Sequence, residues 1–457
     1  MRVTIEKVIN NAYGLSHTKD GKALFVPYTV DGDIVECTVT DERKSFAYAL
    51  QDEVVTPSLF RIKPICPHYT ICGGCDMLHI SREHELSIKN RWIEEDFSRF
   101  SAASSISKAI KIHTIFNKND TSYRSRAKFS ISSESRGFLK HSSNEVVNID
   151  SCPLLTDGLN AILQKIKPHK NLKDGEVDTT TVLEGSPLIS VGSKTIEADN
   201  TVFFQQNRDI ALAIAEYIQS KVQGKIVYDF YGGVGFFSSF LEDDYDVSCI
   251  ESNKSAEKFA HRNLKKARFY SLPTEDAKKC LKKRSDTSIV DPPRSGMTVK
   301  AIKTVSSLTN ARIIYISCDY KTALRDLKEF EKCGFRVIEV TPFDMFPRTA
   351  HLETCVLLGR KIIEDKNVEY EHVDYEPEDA EYMRGAKGSA TYAEIKKWIK
   401  EQYNVSVSSL YIAQCKDECG FEKRDNYNKG AEGHKVPTCP DEKREMILEA
   451  FKHFRMI

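Results

Sequence analysis

An apolar run that ends on a reactive side chain and leads into an amphipathic helix leaves a chain few ways to fold. Ile313-Ile314-Tyr315-Ile316 is such a run. It stops at Ser317-Cys318, and a helical spacing of apolar residues follows. The pattern predicts a buried parallel strand that delivers Cys318 to its carboxyl end, where open α/β sheets place their chemistry. A thiol near a helix N-terminus can have a lowered pKa and act as a nucleophile, which is the expectation for Cys318. A packed core cysteine is the plain alternative. Three other stretches weigh against it.

The first begins at Phe203-Phe204-Gln205-Gln206-Asn207, ahead of a helix that runs to about Ser220. Lys225–Asp229 reads as a strand, and Phe230-Tyr231-Gly232-Gly233-Val234-Gly235 as a glycine-rich turn into a helix from Phe236. Glycines let the backbone approach a ligand at a helix N-terminus. The next strand, Val247–Ile250, ends in Glu251. An acid about 20 residues beyond the first strand suits a ribose diol, so the reading is an adenosyl or nucleotide site. In the second stretch, strand Ser288–Val290 runs into Asp291-Pro292-Pro293-Arg294, and the prolines hold Asp291 at the sheet edge. In the third, Asp344-Met345-Phe346-Pro347-Arg348-Thr349-Ala350-His351-Leu352-Glu353 precedes the apolar strand Cys355–Leu358. A carboxylate at such a dry edge has its pKa raised and suits a general base. Glu353 is the choice, with His351 as the alternative.

Earlier in the chain, residues 1–58 show about five short strands, punctuated at Gly14, Gly21 and Gly32. They predict a small β-barrel of the oligonucleotide-binding kind. Cys66, Cys72 and Cys75, at x5 and x2 spacing, form a metal signal, and Cys152-Pro153 supplies the fourth thiolate. An iron–sulfur cluster is preferred, with zinc as the alternative. A charged amphipathic helix is expected over residues 83–98. Arg124, Arg126 and Lys128 alternate on what reads as a strand, a row suited to phosphates. The 457 residues carry 66 Lys+Arg against 66 Asp+Glu, so any basic footprint must be local. No long apolar stretch indicates export or membrane insertion, so a cytoplasmic protein without a membrane partner is expected. Residues 364–388, rich in Glu, Asp and Tyr, read as a linker, and 389–457 as a helical module. There Thr391 and Glu394 suggest a capping box, a helix over about 408–418 ends at Gly420, and Pro440 starts the last helix. Cys415, Cys419, His434 and Cys439 are a weaker zinc candidate.

Asp229-Phe230-Tyr231-Gly232-Gly233-Val234-Gly235, Asp291-Pro292-Pro293-Arg294-Ser295-Gly296, Ser317-Cys318 and the Asp344–Glu353 run occur in this order at compatible spacings. Over about residues 1–360 the chain resembles the S-adenosylmethionine-dependent RNA uracil-C5 methyltransferases. The resemblance implies a class I methyltransferase fold, an α/β doubly wound sheet, with an N-terminal TRAM domain. It implies a central α+β domain whose Cys66, Cys72, Cys75 and Cys152 match the four-iron four-sulfur ligands of the ribosomal-RNA members. Boundaries follow as 1–58 for the barrel, 59–78 with 112–198 for the central domain, and 79–111 with 199–363 for the methyltransferase domain. Cys318 matches the family's nucleophile, Glu353 its base, and Gln205, Tyr231, Glu251 and Asp291 positions that bind the cofactor. The transfer-RNA branch typically lacks the cysteine quartet, so large-subunit ribosomal RNA is the implied partner and transfer RNA the alternative. Two departures stand out. Gly232 replaces a usual Cys, and Asp319-Tyr320-Lys321 replaces Asn-Pro-Ala after the nucleophile. The carboxylate of Asp319 is expected to raise the thiol's pKa, with Lys321 offsetting it. Rival readings are a non-catalytic RNA-binding or folding factor on this scaffold and an adenosylmethionine enzyme for a small molecule.

Overall fold

The computed structural model describes residues 1–103, 114–116, 119–173, 175–360, 390, 392–419, 439–454 and 456. By its contacts the chain divides into two units, Met1–Ile363 and Glu364–Ile457. Among the described residues no helix is long and apolar enough to cross a membrane.

Strands β1 (Arg2–Thr4), β2 (Lys7–Ile9), β3 (Tyr13–His17), β4 (Ala23–Pro27), β5 (Ile34–Glu42) and β6 (Phe46–Thr56) form one sheet in the order β1-β5-β6-β4-β3-β2. Alternate residues turn inward, so Val3, Leu24, Val26, Val35, Cys37, Ala47 and Ala49 make a core of their own. Six strands appear where the pattern predicted about five. The run Val3–Val8 is split because the chain changes partners midway. The Ile5 amide donates to the Asp33 carbonyl and the Glu6 amide to the Leu15 carbonyl, each at 2.8 Å.

Helix α1 (Arg82–Ala103) is longer than its sequence signal and differs in character. Its charged residues do not all face water: Glu85 and Lys89 are fully buried. Strands β7 (Arg126–Ile131), β8 (Arg136–Leu139), β9 (Val146–Asn148) and β10 (Asp178–Leu183) form a sheet in the order β10-β7-β8-β9. Helix α2 (Asp157–Lys165) packs Leu159 and Leu163 against Phe129 of this sheet. The expected basic row is not a surface row. Arg124 precedes β7, and its buried Nε has no partner. Arg126 donates to the Val202 carbonyl at 3.3 Å and lies over the Phe203 ring, leaving Lys128 exposed.

After the hairpin β11 (Leu188–Val191) and β12 (Lys194–Glu197) and helix α3 (Arg208–Lys221), strands and helices alternate. They are β13 (Ile226–Phe230), α4 (Phe236–Leu241), β14 (Asp246–Glu251), α5 (Lys254–Asn263), β15 (Arg268–Ser271), β16 (Ser285–Val290), α6 (Val299–Leu308), β17 (Thr309–Ser317), α7 (Tyr320–Lys332), β18 (Phe335–Phe343) and β19 (Glu353–Arg360). The sheet order is β15-β14-β13-β16-β17-β19-β18. The first five strands in that order are parallel, and β19 runs antiparallel to both neighbours. Both faces are covered, which explains the unbroken apolar run of β17. Ile313 and Tyr315 enter the core shared with α1, α6 and α7, whereas Ile314 and Ile316 enter the one shared with α3 and α4.

In the second unit, α8 (Tyr392–Tyr403), α9 (Ser409–Glu418) and α10 (Asp441–His453) enclose Ile395, Ile399, Ile412, Cys415, Ile447 and Phe451. The apolar stripe of α8 is therefore core, and Pro440 caps α10. The linker 364–388, Thr391, Gly420 and His434 lie outside the described residues.

One set of charges ties these parts together. Lys89 Nζ donates to Glu85 at 2.8 Å and to Asp344 at 2.7 Å, and Arg82 pairs with the same two carboxylates. The Arg348 amide donates to Glu85 at 2.8 Å, and its guanidinium reaches the Ile80 carbonyl and Asp120. Removing one member of a buried ion network leaves an uncompensated charge, a loss of about 3–5 kcal/mol. Lys89→Met should lose that much in urea unfolding. Arg99→Ala on the exposed face of the same helix should change stability by about 0.5 kcal/mol or less.

Candidate active site

In the sheet order, β13 lies between β14 and β16, so the chain reverses its winding there. Crevices for ligands open at the carboxyl ends of strands at such a switch point. The residues after β13, β14, β16 and β17 all project into it. Because β19 is antiparallel, its first residue reaches the same edge: Ser317 pairs with Thr354, which sets Glu353 beside Cys318. Gln205, Tyr231, Glu251, Asp291, Cys318 and Glu353 line one cavity of about 590 Å³. The structure thus brings together all six residues singled out at this site. His351 is exposed, packs edge-on to Phe346, and does not line the cavity.

The glycine turn is built for close approach. Gly233 has φ +54°, and nothing would meet a Cβ placed on it within 4 Å. Its amide donates to Glu251 Oε2 at 3.0 Å, and the Asn253 amide donates to Glu251 Oε1 at 2.6 Å. Those bonds hold the acid at the rim. Gly232 is different: a Cβ there would meet Cys249 Sγ at 2.4 Å. The replacement of the family's usual Cys by Gly is therefore matched by a thiol from β14 filling the same space.

Carboxylates dominate the electrostatics. Asp229, buried at the end of β13, accepts from Ser238 Oγ at 2.7 Å, leaves Oδ1 without a partner, and is pushed up to about 6 by burial. Burial and the charges of Asp229 and Glu251 push Asp291 up to about 7. Burial, then the charge of Asp291, holds Glu353 well above the usual carboxylate range. For Glu353 the direction agrees with the sequence reading.

For Cys318 the direction is opposite to the lowering expected near a helix N-terminus and the same as the rise expected from a neighbouring carboxylate. Its thiol is pushed up to about 11, by burial first and then by Glu353 and Asp291, with Arg294 and a backbone hydrogen bond opposing. The helix N-terminus does not help, because α7 starts at Tyr320. Asp319 is its N-cap and takes the amides of Lys321 and Thr322. Asp319 was expected to raise the thiol's pKa and Lys321 to offset it; the largest charge contributions come instead from Glu353 and Asp291. Arg294, Phe203 and Phe346 also line the cavity and were given no role from sequence. Arg294 stood in the Asp-Pro-Pro-Arg motif, which was the available signal.

The cysteine quartet gives a divided result. Among the described residues no group of three or more His, Cys, Asp or Glu is arranged to hold a metal ion. The expected metal centre is thus not seen as a ready-made ion site. Yet Cys66, Cys72, Cys75 and Cys152 line one small cavity of about 20 Å³, together with Arg124. The adjoining segment reaches the loop before Glu353. The amides of Asp76 and Met77 donate to the Arg348 carbonyl at 3.1 and 3.0 Å, and Asp76 Oδ2 accepts the Ala350 amide at 3.0 Å.

Alkylation of Cys318 by iodoacetamide, followed by peptide mass mapping, should be slow at pH 7–8 and rise toward pH 11. Glu353→Gln removes a negative neighbour, so the midpoint should move to lower pH.

Residues 1–50 match the TRAM domain, and residues 247–361 match tRNA (Uracil-5-)-methyltransferase. An RNA methyltransferase of Thermotoga maritima, itself uncharacterised, is 26% identical over 438 residues, covering 78% of this chain and 98% of that one. A 23S rRNA (uracil(1939)-C(5))-methyltransferase, RlmD, of a Marinomonas species is 24% identical over 424 residues, covering 78% and 94%. Among solved structures, the tRNA (uracil-54, C5)-methyltransferase of Pyrococcus abyssi, in complex with S-adenosyl-L-homocysteine, superposes with a TM-score of 0.64 at 21% identity. That match covers 78% of this chain and 99% of the other, and it shows the shared fold. The chain thus carries a TRAM domain over residues 1–50 and a tRNA (Uracil-5-)-methyltransferase domain over residues 247–361, the second holding Glu251, Asp291, Cys318 and Glu353 of the cavity.

Proposed function

We propose that the chain transfers a methyl group from S-adenosylmethionine to C5 of a uridine in large-subunit ribosomal RNA, through a covalent adduct of Cys318. The observation that carries this reading is that Cys318 and Glu353 lie side by side in the lining of the carboxylate-rich cavity. C5 of uracil is a weak nucleophile. Addition of the Cys318 thiolate to C6 makes an enolate that is nucleophilic at C5. After C5 has taken the methyl group, the Glu353 carboxylate removes the C5 proton and the thiolate leaves from C6. The base must leave its stack to reach Cys318.

S-adenosylmethionine supplies a methyl group on a positively charged sulfur. Burial first, and then neighbouring negative charge, raises Asp229 and Asp291, and a cation placed beside them relieves that charge. Glu251, on the rim beside the open glycine turn, suits the ribose, with Gln205, Tyr231 and Asp291 as further contacts.

The four thiols line one cavity, the ligand number that an iron–sulfur cluster takes, with zinc as the alternative occupant. The buried, unpartnered Nε of Arg124 beside the same cavity suits an anionic occupant. Cys66, Cys72, Cys75 and Cys152 would hold the cluster, which supplies a cross-link rather than electrons, since methyl transfer needs none. The quartet and the similarity to RlmD proteins favour ribosomal over transfer RNA as substrate.

The test is tritium release from ribosomal RNA labelled at uracil C5. Release should require S-adenosylmethionine and vanish in Cys318→Ala. In Glu353→Gln, a protein–RNA adduct should accumulate while release falls. No release from ribosomal or transfer RNA by cofactor-bound protein would refute the reading. Affinity for S-adenosylmethionine should also rise as pH passes through about 7, where Asp291 ionises. Neutral-sulfur S-adenosylhomocysteine should show a smaller rise by calorimetry.

A further inference from the structure

The N-terminal sheet turns an unusual face to solvent. The inward positions of β3, β4 and β6 are small or aliphatic, namely Gly14, Leu24, Val26, Ala47 and Ala49. The outward positions hold Tyr13, Phe25, Phe46 and Tyr48. Polar residues are the rule on the solvated face of an antiparallel sheet. Tyr48 is 38% exposed, and Leu50, two residues on, 55%. The four rings touch in sequence. Centroids lie 5.9 Å apart for Phe25–Phe46, 5.5 Å for Phe25–Tyr48, 5.7 Å for Phe46–Tyr48 and 5.8 Å for Tyr13–Tyr48. Cross-strand pairing alone accounts for some stabilisation of the sheet. It does not call for four contiguous rings with an exposed edge.

Two features say what covers this face. Its Phe46 end is rimmed by two turns, Thr18–Lys22 and Arg43–Ser45, that carry Lys19, Lys22, Arg43 and Lys44. Lys22 pairs with Glu42 and Asp20, and Arg43 with Asp41, while Lys19 and Lys44 are exposed. The Tyr13 end lies next to the turn that contacts the first residue of α7. Asn10, in the turn just before Tyr13, accepts a hydrogen bond from the Tyr320 hydroxyl at 2.5 Å and donates to Asp96 of α1 at 3.2 Å. Tyr320 is two residues from Cys318. The departure from the family's usual sequence after the nucleophile thus anchors the barrel to the nucleophile's own helix.

We infer that Tyr13, Phe25, Phe46 and Tyr48 form a stacking platform for unpaired bases of the RNA strand flanking the target uridine. This rests on the function proposed above and names the part of the chain that grips the substrate. Stacking on aromatic rings is indifferent to base identity, and nearby cations track the phosphates. A base flipped toward Cys318 leaves unstacked neighbours, and a ring surface joined to the Cys318 loop replaces the stacking they lose.

The test uses the full chain and a single-stranded RNA oligonucleotide carrying 2-aminopurine, whose fluorescence falls on stacking. Wild-type protein should bind and quench it. Tyr48→Ala should weaken binding about tenfold and lose part of the quench, as expected for one lost stacking contact. Tyr48→Phe should restore both, since the ring and not the hydroxyl is used. Lys44→Ala should weaken binding and flatten its salt dependence without changing the quench. Equal affinity and quench in wild type and Tyr48→Ala, with matching thermal melts, would overturn the inference. So would wild-type protein that does not bind the oligonucleotide, or light scattering that shows the face buried in a dimer dissolved by Tyr48→Ala. If Tyr48→Ala melts early, Tyr48→Ser in the exposed ring position and Lys44→Ala give the reading instead, and two unchanged affinities overturn it. Methyl transfer is read separately, by tritium release from labelled RNA. Loss of binding with no tritium release would leave the platform standing and the proposed chemistry failed, and the reverse result would separate them the other way.

Discussion

Lys89 has no surface in contact with water, and its ammonium joins Glu85 on its own helix to Asp344, 255 residues away in sequence. An ammonium buried to that extent is tolerable only with its carboxylates in place. The arrangement therefore gives the segment Asp344–Glu353 little freedom. Arg348, held in the left-handed region at φ +67°, has its amide, carbonyl and guanidinium all engaged. Tyr123 Oη closes the set by donating to the Pro347 carbonyl at 3.0 Å. Such a strained backbone persists where its surroundings over-determine it, as they do here. Glu353 enters β19 at the end of this clamped segment, so the position of the proposed base is inherited from charges on a distant helix.

The cavity depends equally on direction. Five parallel strands can bring only their carboxyl ends to one edge. The antiparallel β19 adds an amino end there, and with it a buried acid facing the thiol. Burial that holds Glu353 and Asp291 up also holds Cys318 up, so the three groups favour their protonated forms together. A positive charge entering among them favours the ionised form of each, so protonation in this cavity is tied to what fills it.

Much of this was legible because the signals are local. A strand that ends in an acid, a glycine turn, or Ser317-Cys318 announces itself within ten residues, and Glu251, Asp291, Cys318 and Glu353 were found that way, whereas Gln205 and Tyr231 came only from the family resemblance. Contacts between distant segments were not legible. Glu85 and Lys89 show a four-residue helical spacing, yet nothing nearby says that Asp344 completes the set and draws it inward. Arg124 was read with Arg126 and Lys128 by alternation, but β7 begins only at Arg126, and Arg124 turns to the cysteine cavity. The carboxylates that raise the thiol's pKa were misplaced for the same reason. Asp319, its sequence neighbour, is the cap of α7, and the larger contributions come from Asp291, which follows β16, and Glu353 on β19.

The space between Gly232 and Cys249 holds one sulfur. A Cβ at 232 would come within 2.4 Å of Cys249 Sγ, so a side chain on the turn and a thiol on the adjoining strand compete for the same space. For a lineage moving between the two solutions, order matters. The strand thiol must shrink before the turn gains a side chain, or the intermediate carries a clash directly beneath the cofactor's turn. Relatives of this chain should fall into two groups at these paired positions, and a change at one position inherits its tolerance from the other.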